Sequence, residues 1–158
     1  MKEIPLTQGQ VAFVDDDMFE YLNQFKWCAR KNWRVFYARG WINKKCVSMH
    51  RVILKLTDPN IKVDHIDCNG CNNQRTNLRI CTTAQNCMNK RKDLNCTSPY
   101  KGVYIDKYRR ISKYKTLIWD DKNQHLLGYF KNEIDAAKAY DKKALEFFGE
   151  FARLNFPL

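Results

Sequence analysis

Asp64 and His65 stand side by side, with Asn77 and Asn86 close behind, in the stretch Val63 to Lys92 (VDHIDCNGCNNQRTNLRICTTAQNCMNKRK), which also carries five positive charges. This mixture suits cutting a phosphodiester. Hydrolysis needs a hard cation to neutralise the crowded phosphate and stabilise the leaving oxygen, and a base to deprotonate water. Carboxylate and amide oxygens serve the first need and imidazole the second. Neighbouring side chains on an extended strand point to opposite faces, so Asp64 and His65 reach one phosphate only where the strand ends or bends. Arg75, Arg79, Lys90 and Arg91 lie close by in sequence and could clamp flanking phosphates.

Asp64-His65, Asn77 within TNLR and Asn86 within AQN, with the Asn-rich filling from Ile66 to Thr82, resemble the HNH endonuclease motif in its His-Asn-Asn form, found in phage and intron-associated homing nucleases. The resemblance implies a ββα-metal (His-Me finger) core: a hairpin with His65 near the end of its first strand, a loop through Asn72 to Asn77, and a helix bearing Asn86. It further implies that Asp64 and Asn86 hold one divalent cation per site, Mg2+ or Mn2+, that His65 is the general base, and that Asn77 braces the loop orienting His65. The last motif position is Asn86, where the better known form has His. A neutral amide still coordinates magnesium. In this reading His65, neutral near the reference value of about 6.5, takes a proton from water that attacks in line. One centre per chain makes nicking, or sequential or dimeric double cutting, more natural than a concerted double break.

The elements that must position these residues read as an α+β extension in front of the motif. Val11 to Val14 suggests a strand, Asp15 to Asp17 a helix cap, Met18 to Phe25 a short helix, and Trp27 to Ala29 and Val35 to Ala38 two further strands. Ser48 to Leu56 reads as a helix closed by Asp58-Pro59-Asn60. His50, in this apolar segment, reads as a packing residue. Cys68-x-x-Cys71 with Cys81, Cys87 or His50 is a weaker zinc pattern. The first pair is well spaced and a second is not, so these are expected to be buried or loop thiols without structural zinc.

Beyond Lys92, Asp93 to Pro99 reads as a linker. Three strand-like runs follow (Lys101 to Ile105, Tyr114 to Trp119, His125 to Phe130). After them comes an amphipathic helix from Asn132, its cap, to Phe148, stopped by Gly149. The segments Tyr100-Lys101-Gly102-Val103, Leu127-Gly128-Tyr129-Phe130, Asp135 to Asp141 and Leu154-Asn155-Phe156-Pro157 resemble the apetala-type, ethylene-response-factor DNA-binding domain across residues 98 to 157. That resemblance implies a three-stranded antiparallel sheet packed on one helix and laid into a DNA major groove. The expected contacts are Lys101, Tyr104, Lys107, Arg109, Arg110, Lys113, Lys115 and Trp119. The plant domains carry arginines where this chain has Lys101, Tyr104 and Asp106, so base preference does not transfer.

The expected organisation is therefore an extension plus nuclease domain over 1–92, a linker over 93–99 and a sheet domain over 100–158. The second domain chooses and the first cuts, since tethering raises local concentration by up to ~10²-fold. A net charge of +11 favours polyanions, and the interleaved Tyr and Trp favour nucleic acid over a membrane surface. No apolar run is long enough to span a bilayer, the start lacks a secretory pattern, and seven cysteines fit a reducing compartment. Double-stranded DNA is the expected partner, the chain acting as a monomer or homodimer in a cytoplasm, encoded by a phage or mobile element. A DNA-binding regulator with a vestigial nuclease fold, and an RNA-processing protein, stand as alternatives.

Overall fold

In the computed structural model, which describes residues 1–92, 96–111, 113–120 and 122–157, the chain forms two compact units, Met1–Asn86 and Cys87–Leu158. Both mix helix with small antiparallel sheets.

The first unit opens with a hairpin of β1 (Lys2–Pro5) and β2 (Val11–Val14), followed by helix α1 (Asp16–Leu22). An antiparallel sheet of β3 (Trp27–Asn32), β4 (Val35–Ile42) and β5 (Lys45–Ser48) comes next, then the short helix α2 (Met49–Ile53). Alternation sorts this sheet: Trp27 and Ala38 turn inward to join Ile4, Ala12, Val14, Leu22, Met49, Ile53 and Leu78 in one core. Trp27 also donates its indole N–H to the Leu22 carbonyl at 2.8 Å, satisfying the end of α1. A Cβ on Gly40 would stand 2.8 Å from the Trp27 ring, so the indole packs directly against the backbone of β4.

The last part of this unit is the hairpin of β6 (Lys62–His65) and β7 (Leu78–Cys81), followed by Thr83 to Asn86 of helix α3 (Thr83–Met88). A polar loop joins the two strands and closes with one turn of 3-10 helix at Arg75–Asn77.

In the second unit β8 (Val103–Ile105), β9 (Tyr114–Trp119) and β10 (Gln124–Phe130) form an antiparallel sheet with β9 central. Helix α4 (Glu133–Phe148) covers one face through Ala136, Ala137, Tyr140, Ala144 and Phe148 against Val103 and Ile118. The Asn132 side chain accepts from the Ile134 N–H at 2.8 Å, and Gly149 closes the helix in the left-handed region.

The departures from the sequence reading have local causes. Asp15 stands at the cap position of α1 but makes no side-chain cap bond; its carboxylate instead accepts from the Arg75 N–H at 2.9 Å. The expected helix over Ser48 to Leu56 shortens to Met49–Ile53, because Ser48 pairs with Arg39 as the last residue of β5 and Lys55 adopts a left-handed φ of 53°. The short strands β1 and β5 are additional to the reading. The second unit begins ahead of the expected linker. Met88 packs with Ile118, Tyr140, Ala144 and Phe148, and the Thr97 hydroxyl accepts from the Ile105 N–H at 2.9 Å. Residues 93–95 of that linker lie outside the described residues.

Candidate active site and nucleic-acid interface

The β6–β7 hairpin places Asp64 opposite Arg79 and His65 opposite Leu78, both at the buried end of β6. Immediately beyond, the chain turns: the Cys68 N–H donates to the His65 carbonyl at 2.8 Å and the Ile66 N–H to the Asn77 carbonyl at 2.9 Å. A polar web holds the rest of the loop. Asn77 accepts from the Asp67 N–H at 3.0 Å and donates to the Asp67 carboxylate at 2.9 Å and the Asn72 carbonyl at 2.8 Å. Asn72 donates to the other Asp67 oxygen, also at 2.8 Å. Phe13 of β2 donates its N–H to the Cys71 carbonyl at 2.9 Å and accepts from the Asn73 N–H at 2.8 Å, and a Cβ on Gly70 would lie 2.5 Å from the Phe36 carbonyl. The loop is thus pinned from three sides.

This frame orients the imidazole. Asn73, fully buried, donates its amide N–H to the Cys71 carbonyl at 3.0 Å, which leaves its oxygen facing His65 Nε2 at 3.4 Å. An amide oxygen only accepts, so the arrangement puts the proton of neutral His65 on Nε2 and the lone pair on Nδ1. The rings of His50 and Tyr37 stand edge-on to His65, with centroids 5.2 and 5.7 Å away. Burial pushes the His65 imidazole below its ordinary value, partly offset by Asn73 and the nearby carboxylates of Asp67 and Asp64. His50 falls further, to about 3, through burial and then the proximity of His65, Arg51 and Arg39. Both imidazoles are therefore neutral at physiological pH.

Asn86 lies on α3 and lines an open groove of about 590 Å³ with His50, Tyr37, Ser48, Lys62 and Val63. The Asp64 carboxylate receives Arg79 Nε at 2.9 Å and its terminal nitrogen at 2.7 Å, both partners nearly buried. In donor type, Asp64 and Asn86 fit a hard divalent cation. A cation at Asp64 would share the carboxylate with Arg79. Among the described residues no three His, Cys, Asp or Glu side chains cluster as a metal centre. Cys71 is buried and donates its thiol to the Phe36 carbonyl.

Of the expected phosphate clamps, Arg75 binds Asp17 at 2.8 Å and Asp15 at 3.5 Å, and Arg79 binds Asp64. Lys90 and Arg91 are exposed and belong to the second unit. There, Tyr104, Lys115 and Tyr129 sit directly across from one another in the sheet, on the face opposite Thr116 and Ile118. Trp119, 59 % exposed, shares that face by alternation. Arg109 stacks 3.8 Å over the Tyr129 ring, and Lys113 lies 5.3 Å from the centroid of Tyr114. Lys107 and Arg110 are exposed in the same loop. Lys101 is placed differently: its ammonium donates to the Met88 carbonyl at 2.6 Å.

The other motif residues of this unit are scaffold. Asp141 accepts from the Asn155 and Phe156 N–H groups at 2.8 and 2.9 Å, and Asn155 accepts from the Lys101 N–H at 2.6 Å. A Cβ on Gly102 would fall 2.0 Å from the Tyr140 ring, at a φ of +77°.

The sequence reading passed over Asn73 as a site residue and set His50 aside as packing. The Asn72-Asn73 doublet was a visible signal for the first, whereas the meeting of His50 with His65 is a tertiary event.

No family model matches the chain, and no solved structure matches it. Among known proteins it is similar to an uncharacterised HNH endonuclease of Acanthamoeba polyphaga mimivirus, 35% identical across 94% of this chain and 76% of that protein. It is also similar to an APETALA2-like protein 2 of rice, 42% identical over 62 residues, which are 39% of this chain and 14% of the plant protein. An AP2-like ethylene-responsive transcription factor of Arabidopsis thaliana gives 42% over 60 residues, 12% of its length. The hairpin-plus-helix arrangement around Asp64, His65, Asn77 and Asn86, together with a relative matched over most of both lengths, makes this chain a member of the HNH endonuclease family.

Proposed function

We propose that the chain is a site-directed DNA endonuclease of the homing type, hydrolysing a phosphodiester with His65 as general base while the second unit selects the site. The observation that carries this reading is the preorganised neutral imidazole: His65 ends β6, its Nε2 faces the Asn73 oxygen, and burial favours its neutral form. Asn77 acts through the loop, holding Asp67 and Asn72 and so the turn after His65. Asp64 and Asn86 are the residues that would hold Mg2+ or Mn2+. Such a cation, when bound, would supply charge neutralisation at the phosphate and the departing 3′ oxygen. Arg79 fixes the orientation of the Asp64 carboxylate through two N–H bonds to one oxygen. The outer face of the second unit's sheet, with Tyr104, Lys115, Trp119, Tyr129 and Arg109, has the shape and chemistry to enter a major groove.

The test is cleavage of a randomised plasmid library with Mg2+ or Mn2+, comparing the native chain with His65→Ala and sequencing the breaks. The expected result is cutting by the native chain and a loss of roughly 10²–10⁴-fold in His65→Ala with DNA affinity kept. Binding by both without cutting by either would overturn the enzyme and leave a DNA-binding regulator.

A further inference from the structure

The first unit has a second exposed surface that this mechanism does not use. Pairing in the β3–β4–β5 sheet sets Cys28 opposite Arg39, Arg30 opposite Tyr37, Trp41 opposite Cys46 and Arg39 opposite Ser48. Direct partners share a face, so Cys28, Arg30, Tyr37, Arg39, Trp41 and Cys46 all lie on one side, away from Trp27, Ala38 and the core. Arg30 and Arg39 are diagonal neighbours, roughly 7–8 Å apart by strand geometry.

This face is continuous with the cutting groove. The groove that holds Asn86 and His50 also takes in Arg30, Lys31, Tyr37 and Arg39. A second groove of about 420 Å³ shares Arg30, Lys31 and Arg39 with it and runs on to Trp41, Cys28 and Cys46. Neither groove is lined by an Asp or a Glu. Among the described residues, Arg30, Lys31, Arg39 and Lys62 have no carboxylate within salt-bridge distance. Arg75 and Arg79, which the sequence suggested as clamps, are instead paired with Asp15, Asp17 and Asp64. Trp41 is 69 % exposed at the far end of the track. A carboxylate-free groove with unpaired guanidinium groups and exposed aromatics is complementary to a phosphate backbone.

We infer that the outer face of the β3–β4–β5 sheet is a DNA-binding surface of the nuclease unit, on which Arg30 and Arg39 hold the phosphate backbone of the duplex that enters the groove at Asn86. The inference rests on the reading of the chain as a DNA endonuclease and adds the surface that seats the substrate. It assigns to the N-terminal extension a role in binding, independent of the second unit's sheet. Cys28 and Cys46, exposed thiols on the same face, report its occupancy.

The experiment uses the full chain with a chelator present, so that nothing is cut. Alkylation of Cys28 and Cys46 is timed by mass spectrometry with and without saturating duplex DNA of arbitrary sequence, and again with duplex RNA. The expected result is severalfold slower labelling of both thiols under DNA. In Arg30→Gln/Arg39→Gln the slowing is lost, and the slope of log affinity against log salt falls by about 2, at about 0.9 per phosphate contact. Unchanged labelling under bound DNA, or shielding by RNA alone, would overturn the inference. Shielding by DNA in a chain that never cuts in Mg2+ or Mn2+ removes the endonuclease reading and keeps this surface; cutting with both thiols unshielded does the reverse.

Discussion

Asp67 with Asn77 in the first unit and Asp141 with Asn155 in the second make nearly the same clamp. In each, a carboxylate accepts from backbone and amide N–H groups and an asparagine ties down a chain segment remote from its own. What surrounds them differs. The first clamp shapes a loop whose neighbours are a buried imidazole and a buried Asp–Arg pair. The second fastens the C-terminal tail to α4 and the entry of β8, leaving the opposite sheet face open with Tyr104 and Trp119 exposed. In the proposed function, the chemistry would sit inside a satisfied polar network that fixes orientation, and recognition would fall to an exposed sheet face.

The sharpest way to break the parallel is Asp141→Ala. It strips the acceptor from two backbone N–H groups and the Asn155 amide, and should cost the second unit about 3 kcal/mol, read as a lower denaturant midpoint for that unit with the first unchanged. Asn77→Ala removes three bonds and should destabilise the first unit by about 2 kcal/mol. Unlike its counterpart it should also slow cutting at full DNA occupancy. Equal cutting rates for Asn77→Ala and the native chain would mean that the clamp serves stability alone in both units.

Acid should separate the units next. Between 6.5 and about 3 an unfolded chain protonates His50 while the native one does not, so the first unit's stability is intact above 6.5 and is lost progressively as pH falls through that window. His65, lowered in the same direction, places the acid limb of the cutting rate below 6.5. Urea unfolding at neutral pH and at about pH 5 checks the first statement, and His50→Phe should flatten the difference. The smallest expected change is in recognition. Lys115→Gln should lower the salt slope of DNA binding by about 0.9 without altering either unit's stability, as befits a contact to one phosphate.

Much of the fold was readable without coordinates. β2, β9 and α4 follow from alternation, helical periodicity, the Asn132 cap and the Gly149 stop, all of which act within a few residues. β1 and β5 were not legible, because strands of four residues acquire their identity from the partner they pair with. The positions of His65 near a strand end and of Asn86 on a helix are what the resemblance to the HNH motif implies. Their surroundings are not: Asn73 behind the imidazole, His50 beside it and Arg39 along the groove arrive from separate elements.

The charged residues draw the same line. Composition alone established a cationic chain suited to a polyanion, since net charge adds up regardless of position. Which cations are available to that polyanion was settled only by folding. Asp15 and Arg75 are sixty residues apart in sequence yet bonded, while Arg30 and Arg39, unremarkable in the sequence, emerge on a face without carboxylates. A charge keeps its sign wherever the chain goes, but its partner is whatever the tertiary structure brings within a few ångströms.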